Sequence, residues 1–247
     1  VIATVGLHGS ASTWVFNIAR ELVAAAVGEE RLVTLYADTV AQLPDEQGRS
    51  GKHVVFKSHQ GSHELDAWLR DRDAPVILSL RDPRDACLSM AQRFGAPLQH
   101  TARWIANDCR RVERLAEQGY PCLRFEDRFF DQRQSVDRLA ALLGIAGDAV
   151  VMDGIFARYR TEVVRRFGRS LNELPPERLT MVGPFPMDRT TQILAPHIGD
   201  TRVGKWRDLP DAVQLELTRW FRPFLDRFGY EASLPQASQA AAARPES

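Results

Sequence analysis

The chain has 247 residues, 44% hydrophobic and 26% charged, which is enough apolar material for one large soluble core and forces no second domain. Lys plus Arg and Asp plus Glu both number 32, so no global field argues for nucleic acid or an acidic membrane as partner, and an anionic ligand needs a local cluster. No apolar run approaches the roughly 20 residues that span a bilayer, and the start shows no basic region followed by a signal-type segment; a cytoplasmic protein is the expectation.

Residues 1–5 are a β-type run, and a helical pattern follows from Ser12 to Val27, where Trp14, Ile18, Leu22 and Ala25 recur at helical spacing. LVTLY (32–36) and HVVFK (53–57) read as strands two and three, the latter apolar throughout, as in a sheet covered on both faces. Pro44 to Gly51 is a polar loop. PVILSL (75–80) is the clearest strand. Asp82, Pro83 and Asp85 after it supply a helix cap, a first-turn proline and a first-turn acid, and predict helices over 83–94 and 98–118. PCLRF (121–125) is a further strand, followed by a helix over about 131–143 that stops near Gly144.

A helix near 150–168 comes next, then a loop-like stretch containing Pro175, Pro176, Pro184, Pro186 and Pro196. Residues 211–228 form a last helix, closed by Gly229. Alternating strands and helices predict an α/β fold, a P-loop-like three-layer sandwich with a mostly parallel central sheet flanked by helices. A single domain covers 1–231, and the Ala-, Gln-, Pro- and Ser-rich tail at 232–247 is expected to be disordered. Ligands of such sheets sit at the carboxyl ends of the strands.

The turn after the first strand reads GLHGSASTW. If Gly6 is aligned with the first Gly of a nucleoside triphosphatase P-loop, Ser12 stands at the Lys position and Thr13 after it, so the ATP signal fails while the strand-turn-helix signal survives. Backbone N–H groups and a helix N-terminus attract an anion without metal, and Ser10, Ser12 and Thr13 add hydroxyls. From this loop alone, an ordinary connection whose Ser and Thr cap the helix fits equally well.

Cys87, Cys109 and Cys122 lack CxxC spacing and read as reduced, buried thiols. The six histidines show no metal-ligand pattern, although His59 and His63 would share a face at i,i+4 of a helix, and no metal is expected. Taken singly, Arg81 with Asp82, Arg84 and Asp85 also fits a solvated charge cluster at a helix start, and Arg202 fits a surface loop. Trp206 fits a buried anchor, and Trp68, Trp104 and Trp220 fit packing.

Four segments in this order, STW (12–14), KSH (57–59), RDPRDACLS (81–89) and GKW (204–206), resemble the sulfotransferases that use 3′-phosphoadenosine 5′-phosphosulfate (PAPS). RFED at 124–127 also matches, and the resemblance spans roughly residues 1–230. It implies that Gly9, Ser10, Ala11, Ser12, Thr13 and Trp14 hold the donor's 5′-phosphosulfate side. Arg81 and Ser89 would hold its 3′-phosphate with Arg202, Val203 and Gly204 of the late loop, where Lys205 or Arg207 are substitutes for Arg202. His59 would be the general base and Lys57 a positive charge near the transferring group.

The family's first motif carries a Lys or Arg where this chain has Gly9, preceded by His8; the resemblance leaves His8 or Lys57 to take that role. PAPS is then the co-substrate, adenosine 3′,5′-bisphosphate the product, and a hydroxyl or amine of a small molecule or carbohydrate the acceptor, with no metal, no nucleic acid and no membrane. Phe156, Tyr159, Phe167, Phe185 and Met187 are candidates for an apolar acceptor wall. A non-catalytic nucleotide-binding module and an atypical P-loop kinase are the alternatives.

Overall fold

The computed structural model describes residues 1–195 and 198–232, so the tail from 233 onward and Pro196 lie outside the described residues. In chain order the elements begin with β1 (Ile2–Gly6), α1 (Ser12–Val27), β2 (Leu32–Tyr36), a short α2 (Glu46–Arg49), β3 (His53–Ser58) and α3 (His63–Arg70). Next come β4 (Val76–Leu80), α4 (Pro83–Phe94), α5 (Leu98–Glu117), β5 (Cys122–Arg124), α6 (Gln134–Leu142), α7 (Ala149–Arg158) and α8 (Thr161–Arg169). The chain continues through β6 (Leu179–Val182), β7 (Phe185–Asp188), α9 (Asp211–Trp220) and α10 (Arg222–Phe228).

Five strands form one parallel sheet in the order β2-β3-β1-β4-β5. Alternation along the strands divides the core between the faces. Val76, Leu78 and Leu80 pack with α4 and α5 residues such as Met90, Ile105 and Val112, whereas Ile77 between them joins Trp14, Ile18 and Leu22 of α1. The three-layer expectation is met.

β1 occupies the middle, with β3 on one side and β4 on the other. The chain leaves β1 toward β2 and β3, then crosses to β4 and β5, so the order reverses at β1 and opens a crevice at its carboxyl end. The ends of β1, β3 and β4 meet there. Gly6 permits this closeness, because a Cβ at that position would lie 1.9 Å from the Ser79 hydroxyl on β4.

Sequence periodicity places the sheet and α1, α4 and α5 to within a residue or two, and departs from the structure further on. The expected helix at 150–168 is two helices, because Tyr159 leaves the helical path to bury its ring against α1, where its hydroxyl meets Arg20 and Glu21. The expected helix at 211–228 is likewise broken at Phe221, with Pro223 in the first turn of α10. The Pro-rich stretch contains the antiparallel hairpin β6–β7. Asn17 of α1 donates to the carbonyl of Thr191 just beyond it, which ties the hairpin over the crevice. α3 had no sequence expectation of its own, and it begins at His63, so His59 precedes it and the two histidines do not share its face. Cys87 and Cys109 are buried and unpaired, and Cys122 is half-buried.

Candidate active site

The turn after β1 carries no side-chain cap for α1. The Ser10 hydroxyl donates inward to the Leu7 carbonyl and meets Ser79, and Ala11 adopts a left-handed conformation with φ 63°. The reading in which Ser and Thr merely cap the helix therefore fails, and the first N–H groups of α1 stay available to an anion. This turn borders a cavity of about 720 Å³ lined by His8, Gly9, Ala11, Ser12, Thr13 and Trp14, whereas Ser10 is a fully buried brace beneath it.

At the end of β3, Lys57 points back to the turn, its Nζ donating to Thr13 Oγ1 at 2.7 Å. Burial, with the Arg93 charge adding to it, lowers Lys57 to about 7. Ser58 turns away from the cavity toward Asp38, whose Oδ1 accepts from the Ser58 hydroxyl at 2.6 Å and from the His59 N–H at 3.0 Å. Asp38 is thus the brace of the Lys-Ser-His turn, invisible to a reading of the sequence because it lies 20 residues away on another loop.

The His59 ring lies on the cavity wall, 4% exposed, with Nδ1 at 2.5 Å from the Gly6 carbonyl. A carbonyl only accepts, so Nδ1 carries the proton and Nε2 keeps its lone pair. Burial, then the neighbouring His8 and Lys57, hold His59 well below the ordinary 6.5, a neutral base at neutral pH.

His8 stacks on His59, with ring centroids 3.7 Å apart, and its backbone N–H and Nδ1 both reach Asp108 Oδ2, at 2.8 and 2.7 Å. Trp104 also stacks on His8 and lines the cavity, so it belongs to the site and is more than packing. The ligating atoms of His8, His59 and Asp108 lie within 4.8 Å of one another. The two rings run near-parallel at 21°, and Nδ1 of each is engaged, that of His8 with Asp108 and that of His59 with the Gly6 carbonyl.

Arg81, at the end of β4, is 3% exposed and holds two loops at once. Its Nη1 donates to the Gly9 carbonyl at 2.9 Å, its Nη2 to the Arg202 carbonyl at 3.1 Å, and its guanidinium lies over the Phe125 ring at 4.0 Å. Burial lowers its pKa, opposed by Asp85 and Glu126. Ser89, two turns into α4, faces the same turn: a Cβ at Gly9, whose φ is +79°, would lie 3.7 Å from Ser89 Cβ. The first turn, Lys57, His59, Arg81 and Ser89 therefore converge on one cavity.

The late loop is placed differently from expectation. The Arg202 guanidinium pairs with Asp208 at the surface, Val203 is exposed, and neither they nor Gly204 line the cavity. Arg207 pairs with Glu231 and stacks over Trp206. Lys205 is the cation of this loop that faces inward, 6% exposed and 3.4 Å from Asp200. The loop is docked by Asp85 of α4, fully buried, whose two oxygens accept the Gly204 N–H at 2.6 Å and the Trp206 N–H at 3.0 Å. Trp206 is the buried anchor it was expected to be, with the Arg84 guanidinium 3.5 Å from its ring.

Away from the charged end the cavity wall is mostly apolar, with Thr161, Thr180 and Gln192 among its polar members. Tyr159 and Met187 line it as expected, whereas Phe156, Phe167 and Phe185 do not. Phe94, Phe130, Val164, Met181, Val182 and Ile193 line it too, some from the hairpin that the prolines concealed. Arg93, one turn beyond Ser89 on α4, also reaches the cavity. Its i,i+4 spacing from Ser89 was the sequence signal that could have found it.

No protein-family model matches the chain, and no curated protein matches it in sequence. Solved structures do. Mouse sulfotransferase SULT7A1 complexed with PAP aligns over 98% of this chain and 85% of its own, at TM-score 0.64 and 12% identity. Retinol dehydratase, in one structure with androsterone and the inactive cofactor PAP and in another with retinol and PAP, aligns over 91% of this chain and 80% of its own, at TM-score 0.57 and 14% identity. At such identities the likeness is one of architecture, and the chain has the sulfotransferase fold.

Proposed function

We propose that the protein transfers a sulfuryl group from PAPS to the hydroxyl of a small apolar acceptor. The observation that carries this reading is the convergence of the uncapped first turn of α1, Lys57 and His59 of β3, and Arg81 and Ser89 of β4–α4 on one cavity. The donor carries phosphates at both ends of its ribose, and the site offers two cationic ends to match them. The turn at 9–13 with Lys57 suits the 5′-phosphosulfate. Arg81, Ser89 and, from the late loop, Lys205 suit the 3′-phosphate, with Arg81 supplying a planar fork.

Transfer is a displacement at sulfur. The acceptor oxygen bonds to sulfur as the bond from sulfur to the 5′-phosphate oxygen breaks. The acceptor's proton passes to Nε2 of His59, and the negative charge departs on adenosine 3′,5′-bisphosphate. His59 suits this because its Nδ1–H is fixed on the Gly6 carbonyl and its ring rests neutral. By analogy with phosphoryl transfer, positioning and positive charge at the reacting group supply most of the acceleration.

Trp104 and Phe94 beside the histidines, and the Met181–Met187 hairpin across from them, form a wall suited to a ring-bearing molecule. The androsterone and retinol held by retinol dehydratase are acceptor-sized apolar molecules of this kind. Carbohydrates fit such a wall less well, having little apolar surface to bury.

Calorimetry with adenosine 3′,5′-bisphosphate and with adenosine 5′-phosphate tests the donor assignment. The bisphosphate should bind at least about 100-fold tighter, as two charge-assisted contacts imply. Arg81→Ala should erase most of that difference. Equal affinities in the parent protein refute the reading, and tighter binding of ATP with Mg²⁺ would favour a kinase. Radiolabelled PAPS with a naphthol as acceptor then tests transfer; binding without transfer to any acceptor would favour a nucleotide-binding module.

A further inference from the structure

The departing bisphosphate gains negative charge, yet the turn His8-Gly9-Ser10-Ala11-Ser12-Thr13 that borders the transfer end carries neither Lys nor Arg. Resting on the sulfotransferase reading above, we infer that Arg93 of α4 supplies the positive charge that neutralises the 5′-phosphate oxygen as it leaves sulfur.

The geometry of α4 places it there. Asp85, Ser89 and Arg93 follow one another at i,i+4 and share one helix face. Asp85 docks the late loop, Ser89 lies against Gly9, and Arg93 is one turn further along, on the cavity wall. The next residue, Phe94, meets Trp104 with ring centroids 6.3 Å apart. Trp104 stacks on His8 at 5.5 Å, and His8 on His59 at 3.7 Å. The end of α4 is thus led by contacts to the general base and away from the late loop. Arg93 also lies within electrostatic reach of both Lys57 and Arg81.

The other two cations in question serve less well. His8 has its Nδ1 on the Asp108 carboxylate, which offsets any charge the ring carries. Lys57, lowered to about 7, is only partly charged at neutral pH. Arg93, lowered by burial and by Arg81 to about 10, keeps its full charge there.

Arg93→Ala and Arg93→Lys, assayed with radiolabelled PAPS and a naphthol and titrated with adenosine 3′,5′-bisphosphate, test the assignment. Arg93→Ala should lower kcat by about 100-fold or more, as loss of one preorganised transition-state contact does. Its KM for PAPS, in which the bridging oxygen has not yet gained charge, should stay within about threefold of the parent, while bisphosphate affinity falls with the lost contact to the charged 5′-phosphate; unchanged thermal unfolding reports an intact fold, and Arg93→Lys should recover about tenfold of the rate. A kcat within about threefold of the parent overturns the assignment, and so does a rise in the KM for PAPS as large as the fall in kcat, which would make Arg93 a ground-state anchor. Those outcomes leave the sulfotransferase reading standing, whereas a parent protein that neither binds the bisphosphate nor transfers sulfate removes both.

Discussion

Replacing Asp85 by Ala should uncouple the late loop from the rest of the site. Its carboxylate is fully buried and accepts two backbone N–H groups, from Gly204 at 2.6 Å and Trp206 at 3.0 Å. Hydrogen bonds to a charged acceptor contribute about 1.5–3 kcal/mol each, so the pair is worth about 3–6 kcal/mol before relaxation. The half-buried Gly204 N–H can recover water while the Trp206 N–H stays buried, so we expect a net loss of about 3 kcal/mol. For a domain of this size each kcal/mol moves Tm by about 2–4 °C, giving a fall of about 6–12 °C. Lys205 lies between the two freed N–H groups in sequence, so bisphosphate affinity should fall by about tenfold or more in the same variant. Asp85→Asn, which keeps one acceptor oxygen but turns an amide toward the second N–H, should lose about half as much stability. Thermal unfolding by circular dichroism and calorimetry with the bisphosphate measure the two effects. If Asp85→Ala melts within about 2 °C of the parent with unchanged bisphosphate affinity, the docking argument is wrong.

His59→Ala should reduce transfer by at least about 100-fold while bisphosphate affinity changes little, since His59 touches neither phosphate anchor; parallel losses in both would contradict its role as base. As pH rises through about 7, Lys57 loses its proton, while His59, held well below 6.5, is already a base. The profile of kcat/KM should therefore decline on its alkaline side with a midpoint near 7, and Lys57→Arg should move that decline upward; an alkaline limb unaffected by Lys57→Arg would assign it elsewhere. Lys205→Ala should weaken the bisphosphate by about tenfold and Arg202→Ala by less than about twofold, and the reverse order would show that the late loop turns over on binding.

What the sequence made legible follows from the range over which each signal acts. Strand and helix patterns are local, and residues 1–118 carry them cleanly: apolar VILSL followed by Asp82-Pro83 can hardly be anything but a buried strand entering a helix. Strand ends then meet by topology, so Lys57, His59, Arg81 and Ser89 arrived together as the motif order implied. The hairpin β6–β7 was hidden because Pro184 and Pro186 read as breakers, although Pro184 falls in the turn between the strands, where no ladder N–H is required, and Pro186 stands in the short β7 opposite Met181. Asp38 beneath the Lys-Ser-His turn, and Asp108 behind His8 across 100 residues, were not legible because nothing local distinguishes a buried bracing carboxylate from a solvated one. Arg202 drew attention by its place next to GKW, but the left-handed turn at Gly204 sends its side chain outward and Lys205 inward.

The hairpin that closes the cavity has a consequence for how such a protein diversifies. Met181, Val182 and Met187 stand on a ribbon that shares no ladder with the central sheet, and Phe94 and Trp104 flank the α4–α5 connection. The groups assigned to the donor lie on strand ends, the turns that follow them, the face of α4 that carries Ser89 and Arg93, and the loop before α9. On the proposed reading, rewriting the ribbon and that connection retunes which acceptor is admitted while the donor-holding groups stay as they are.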